Sequence, residues 1–115
     1  MMEIKRGEIY YADLGQGNIG SEQSGTRPVL VVQNDIGNRF SPTVIVACMT
    51  SRLFKNEIPT HVRLAKETYG LAEDSLVLCE QIKTIDKIRL RGRIAKLNLP
   101  DEARVNNALR LSLQI

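Results

Sequence analysis

Three apolar runs, Val29–Val32, Val44–Met49 and Leu76–Cys79, are short, rich in β-branched side chains and bounded by turn-forming residues. Runs of this length predict buried strands rather than helices. "EIYYADL" (8–14) and "HVRLA" (61–65) are two further strand candidates, and "NDIGNRFSP" (34–42) and "KETYGLAEDS" (66–75) are turn-rich. Over 83–97 the pattern is ambiguous. "TIDKIRL" permits a short helical turn started at Asp86, with "RGRIAKL" as a final strand. The period then changes. Asn98 is a candidate cap, Pro100 and two acids follow, and Val105, Ala108, Leu109 and Leu113 recur at helical spacing. This predicts an amphipathic helix closing the chain. The fold class expected is mainly β with a terminal helix: a small, strongly curved antiparallel barrel or half-barrel with the helix packed on it.

The 115 residues fit one domain over 1–115, and 43% hydrophobic content is enough for a core. No apolar run approaches the roughly 20 residues of a membrane span. The N-terminus, "MMEIKRGEIYY", lacks a signal-peptide core, so a cytoplasmic protein is expected. Cys48 and Cys79 each sit inside an apolar run and read as reduced core thiols. Two Cys and one His cannot complete a zinc site without carboxylates. The net charge is only +3, but Lys83, Lys87, Arg89, Arg91, Arg93 and Lys96 face Asp86 alone within fourteen residues. Such a stripe suits a polyanionic partner, or is simply a solvated strand face.

Several chemistries are excluded. The single histidine, His61, cannot supply a His pair, and its strand-like surroundings ("PTHVRLA") suggest a structural or surface role. There is no G-x-S-x-G elbow, no P-loop, no G-x-G-x-x-G and no carboxylate cluster suited to a catalytic metal. Gly15, Gly17, Gly20 and Gly25 punctuate one loop, which can be a phosphate cradle or merely mobile. In "GSEQSGTRPVLVVQND" (20–35) that loop runs into Arg27 and Pro28 at the start of a buried strand. Arginine, threonine, serine, glutamate and glutamine, with no metal and no His pair, can stabilise a developing phosphorane if the nucleophile comes from elsewhere. RNA supplies one, the 2′-OH beside the scissile phosphate. A guanidinium matches phosphoryl oxygens and stays charged, which also makes it a poor general base.

"KRGEIYYADL", "GSEQSGTRPVLVVQND", "PTVIVACMTS" and "EQIKTIDKIRL" together resemble the MazF/PemK family of toxin endoribonucleases, of the Gram-positive type, from about Lys5 to the C-terminal helix. The resemblance implies an SH3-like barrel shared with the CcdB gyrase poisons, and a homodimer. It implies metal-independent, sequence-specific cleavage of single-stranded mRNA that leaves a 2′,3′-cyclic phosphate and a 5′-OH, with no cofactor. It implies a MazE-type antitoxin whose C-terminal segment covers the RNA groove; no autoinhibitory tail follows the terminal helix, so the inhibitor is expected to be another polypeptide. Arg27 matches the family's catalytic arginine, and Thr50 its strand-end threonine. Ser21, Glu22, Gln23 and Gly25 fall in the loop that lines the RNA groove, and Gln81 matches a strand-end position facing it. No histidine of the first loop matches the acid or base of some members, and Glu22 is a candidate by residue type alone.

Two alternatives differ in class. A CcdB-like topoisomerase poison would not need Arg27 and Thr50 together. A non-catalytic RNA-binding barrel would be expected to stack bases on exposed aromatics. Aromatics make up only 4% of this chain, as Tyr10, Tyr11, Phe40, Phe54 and Tyr69.

Overall fold

The computed structural model describes residues 3–16, 20, 23–53 and 58–115. In chain order the elements are β1 (Glu8–Asp13), β2 (Thr26–Val31), α1 (Asp35–Phe40), β3 (Thr43–Thr50), β4 (His61–Leu64), α2 (Lys66–Tyr69), β5 (Ser75–Asp86), a 3₁₀ turn (Lys87–Arg89), β6 (Leu90–Lys96) and α3 (Leu99–Leu113). The strands form one antiparallel sheet in the order β4-β5-β3-β2-β1-β6. Every strand expected from the pattern forms. The two turn-rich segments each hold a short helix, and the ambiguous 83–86 stretch extends β5. Asp86 does start a helical turn: its carboxylate accepts from the Ile88 N–H at 3.1 Å.

A flat sheet is impossible for this connectivity. β5 and β6 are four strand spacings apart in the sheet order, at least about 19 Å at ~4.8 Å per strand. From Asp86 to Leu90 the chain takes only four residue steps, a reach of about 14 Å fully extended. The sheet must therefore curl until its two sides approach each other, which makes a half-barrel. The packing shows the result. Tyr10, Val29, Val31, Val44, Val46 and Cys48 from the central strands form one cluster with Ile85 of β5 and Leu90 of β6.

The other face carries a second core. Ile9, Leu30, Ala47, Met49 and Val77 pack with Val105, Ala108 and Leu109 of α3. Asn98 caps that helix, accepting from the Asp101 N–H at 2.9 Å. Leu113 departs from the expected apolar stripe and is exposed. The short α2 is tied to the start of α3 by the Tyr69 hydroxyl, which donates to Asp101 at 2.5 Å and accepts from the Asn98 N–H at 3.2 Å. Burial, reinforced by the bond to Asp101, pushes the Tyr69 phenol up to about 12. Among the described residues no helix is long and apolar enough to cross a membrane.

Because both faces of the central strands are buried, cavities there should be costly. Leu30→Ala, at a residue with 1% exposure, is expected to lower unfolding free energy by about 2–5 kcal/mol. Ile36→Ala, on the exposed side of α1, should change it by less than about 0.5 kcal/mol. Urea denaturation of both variants measures the difference.

Candidate active site

Along β2, Val31, Val29 and Arg27 alternate onto one face; along β3, Val46, Cys48 and Thr50 do the same. Val31 pairs with Val46 and Val29 with Cys48. Extending this register by two residues sets Arg27 across from Thr50. The interior face of the half-barrel thus turns from apolar to polar where these two residues meet. Arg27 is the second residue of β2, one turn of the pleat inside the strand rather than in the loop, and Pro28 follows it within the strand.

Both side chains are oriented. The Nε–H of Arg27 donates to the Ser24 carbonyl at 2.8 Å. That leaves its terminal N–H₂ groups for another acceptor, and Arg27 forms no ion pair among the described residues. Thr50 is buried; its hydroxyl oxygen accepts from the Arg52 N–H at 3.1 Å, so its O–H can donate elsewhere. Two cavities flank the pair and share Ser24, Arg27 and Thr50 as a common wall. One, of about 380 Å³, is lined by Tyr11, Pro28, Met49, Leu71, Glu73 and Ser75. The other, of about 460 Å³, is lined by Gln23, Arg52, His61, Glu80 and Gln81. An arginine fork and a hydroxyl between two pockets can hold a phosphodiester with a residue of its chain on each side.

β5 supplies the wall of the second cavity through an irregularity. As β3 advances one residue from Ala47 to Cys48, its partner on β5 jumps from Ile82 to Leu78. Residues 79–81 are bulged out with no partner on β3, a device that bends a strand and re-aims its side chains. Gln81 therefore lies in a bulge within a twelve-residue strand, not at a strand end as its pattern suggested, although it does line the cavity. Its side-chain oxygen accepts from the Gln23 N–H at 3.3 Å, and Lys83 Nζ donates to the Gln23 carbonyl at 3.4 Å. The end of the glycine-punctuated loop is thereby tied to β5.

The base of that loop is closed by Leu14 N–H donating to the Gly25 carbonyl at 2.9 Å and Gly25 N–H donating to the Gly15 carbonyl at 2.8 Å. Gly25 holds φ +77°, a left-handed conformation that favours glycine. It lines the first cavity. Ser21 and Glu22 lie outside the described residues.

Four of the six cations of the basic stripe have partners within the fold. Arg93 binds the buried Glu8 at 2.5 Å, Arg91 reaches Asp13 at 3.8 Å and Arg89 donates to the Asp13 carbonyl at 3.2 Å. Lys87 donates to the Asn38 carbonyl. Only Lys83 of the six joins the site, through the Gln23 contact. Cys48 and Cys79 are buried free thiols. Burial pushes the Cys48 thiol up against the opposing pull of Lys83 and Arg27, and pushes Cys79 up to about 11 with Glu80 adding to it.

Sequence reasoning missed several members of the site. His61 reads as a strand residue with a structural or surface role, and it does open β4; yet it lines the second cavity, with Nε2 2.8 Å from Glu80 Oε2. Glu80, Arg52, Glu73 and Tyr11 carried no local signal. The register jump in β5 turns Glu80 to the cavity, while Tyr11 reaches the site by pairing opposite Pro28 and Arg52 by following Thr50 within two residues.

The fold and site define a small curled β protein with an arginine–threonine pair at the rim of its interior. The chain belongs to the PemK-like, MazF-like toxins of type II toxin-antitoxin systems, whose family profile matches residues 5–113. It is 52% identical over 114 residues to "Endoribonuclease EndoA" of Bacillus subtilis (strain 168), covering 99% of this chain and 97% of that protein. Among solved structures it resembles MazF from Deinococcus radiodurans, with a TM-score of 0.81 and 22% identity over all of both chains. It also resembles an endoribonuclease in complex with its cognate antitoxin from a mycobacterial species, with a TM-score of 0.77 and 25% identity over 97% of this chain and 96% of that one.

Proposed function

We propose that this chain is the endoribonuclease of a toxin-antitoxin pair, acting in the cytoplasm on single-stranded RNA. The observation that carries the reading is the convergence of Arg27 and Thr50 from neighbouring strands onto the wall shared by two cavities. The 2′-OH attacks the adjacent phosphorus in line. The P–O2′ bond forms, the P–O5′ bond breaks, and the products are a 2′,3′-cyclic phosphate and a 5′-OH. The terminal N–H₂ groups of Arg27 meet the non-bridging oxygens as negative charge builds on them, and the Thr50 O–H donates to the same phosphoryl group. Gln23, Gly25 and Gln81 hold RNA beside the cut, together with Ser21 and Glu22 of the same loop. Charge stabilisation falls to the Arg27 guanidinium, and no step passes through a metal.

The same groove gives the reading its partners. A MazE-type antitoxin would set carboxylates where phosphates stand and so compete with RNA. A second copy of the chain would complete the groove as a two-fold homodimer.

Arg27→Ala should retain its melting temperature and lose about 10²–10³ in cleavage rate; near-normal cleavage by this variant would remove Arg27 from the mechanism. Cleavage should persist in EDTA and stop when one 2′-deoxy sugar replaces the ribose 5′ to the cut; loss in EDTA with rescue by Mg²⁺ would contradict the scheme. Light scattering at micromolar concentration should give about twice the 12.9 kDa chain mass, and a monomer across that range would count against the composite groove.

A further inference from the structure

The cations of β6 and the 3₁₀ turn have no role in the cleavage scheme, yet two of them meet one acid. Arg89 donates to the Asp13 carbonyl at 3.2 Å, and Arg91 Nη2 lies 3.8 Å from Asp13 Oδ2. Asp13 is the last residue of β1, and its neighbour Ala12 pairs with Arg27. A run of hydrogen bonds leads from this acid to the arginine. Asp13 Oδ1 accepts from the Gly15 N–H at 2.9 Å, a turn that aspartate and asparagine both form. Gly15 holds φ +85°, a left-handed conformation, and its carbonyl accepts from the Gly25 N–H at 2.8 Å. The Gly25 nitrogen belongs to the same peptide unit as the Ser24 carbonyl. That unit is planar and trans, so its N–H and C=O point in opposite directions. Anchoring the N–H on Gly15 therefore aims the C=O, and this is the carbonyl that accepts from Arg27 Nε–H at 2.8 Å.

We propose that Asp13 is a positioning residue, which orients the Arg27 guanidinium through Gly15 and the peptide unit joining Ser24 to Gly25. This role rests on the endoribonuclease reading above. An arginine side chain is long and rich in rotamers. Held at Nε, its fork keeps one direction; released, it samples orientations that miss the phosphoryl oxygens. Asp13 lines neither of the two cavities, so it reaches the reaction only through the groups it holds. Arg91 offsets the charge of the carboxylate and Arg89 holds the carbonyl of the same residue. Two cations of the basic stripe thus tie the run of hydrogen bonds to the other side of the sheet.

The test combines cleavage kinetics with NMR of the arginine side chains in the intact protein. Asp13→Ala should lower kcat about 10-fold and leave KM within about 2-fold, because the lost contact to the phosphoryl group strengthens only in the transition state. The Arg27 Nε–H of the wild type should be protected from exchange with water, and Asp13→Ala should speed that exchange about 10-fold or more. Asp13→Asn keeps the acceptor for the Gly15 N–H and should retain both properties within about 2-fold. Should Asp13→Ala not fold, Gly15→Ala breaks the next link, since a Cβ is strained at φ +85°, and should give the same paired loss. Wild-type kcat in Asp13→Ala, or a lower kcat with the Arg27 signal unchanged, would overturn the proposal. So would an equal loss in Asp13→Asn, which would make the charge decisive and not the acceptor. A wild-type Arg27 Nε–H that exchanges freely would overturn it without any variant. Absence of any cleavage by the wild type would instead overturn the endoribonuclease reading, with the Arg27 signal still deciding whether Asp13 sets the orientation.

Discussion

Three residues, Lys87 to Arg89, carry the chain between strands that a flat sheet would hold about 19 Å apart. No other feature constrains the molecule so tightly. The connection is stiffened at both ends: Asp86 caps the turn through the Ile88 N–H, and the Leu90 N–H donates to the Lys87 carbonyl. Closing this gap makes the sheet curl, and the curl creates an interior from a surface that would otherwise face water. The side chains of Val29, Val31, Val44, Val46 and Cys48 can then be buried on that face while Leu30, Ala47 and Met49 are buried under α3 on the other.

Curling also settles where polar chemistry can sit. Inside the half-barrel a charge would lose its hydration at a cost of several kcal/mol. At the rim, one pleat repeat beyond Val29 and Cys48, a guanidinium keeps access to water and still has a rigid base. The β5 bulge acts at the same rim from the opposite side. It spends three residues of pairing with β3 and uses them to turn Glu80 and Gln81 toward Arg27 and Thr50. The site is thus built from strands, with the glycine-punctuated loop tied on through Gln23 and Gly25. Strand-borne groups hold their positions better than loop-borne ones.

Charge is distributed with the same economy. Most of the basic stripe on β5 and β6 is engaged with Glu8, Asp13 or backbone carbonyls. Arg93 and Tyr10 both bind Glu8, which is buried and would be unstable there without them. Lys83 alone is drawn to the groove, and Arg27 is left without a carboxylate partner among the described residues. A guanidinium with no ion pair among the described residues, between two cavities, keeps its terminal N–H₂ groups for an anionic ligand under the proposed function.

The sequence by itself determined the strands, the terminal helix and its Asn98 cap, because these depend on periodicity and local hydrogen bonds. It also singled out Arg27 and Thr50, through motif resemblance, and placed both cysteines in apolar surroundings. Tertiary structure decided the rest. The short helices α1 and α2 lie in segments whose polar, glycine-containing composition reads equally well as turn. Gln81 matched a strand-end pattern, but the offset between β3 and β5 put it in a bulge. His61 and Glu80 are nineteen residues apart and meet because β4 pairs with β5, a pairing that no local pattern encodes. Spacing along a chain is also blind to acids such as Glu8 and Asp13, which a neighbouring strand brings to the basic stripe across some eighty residues of sequence. Contacts of that kind arise only once the sheet has curled.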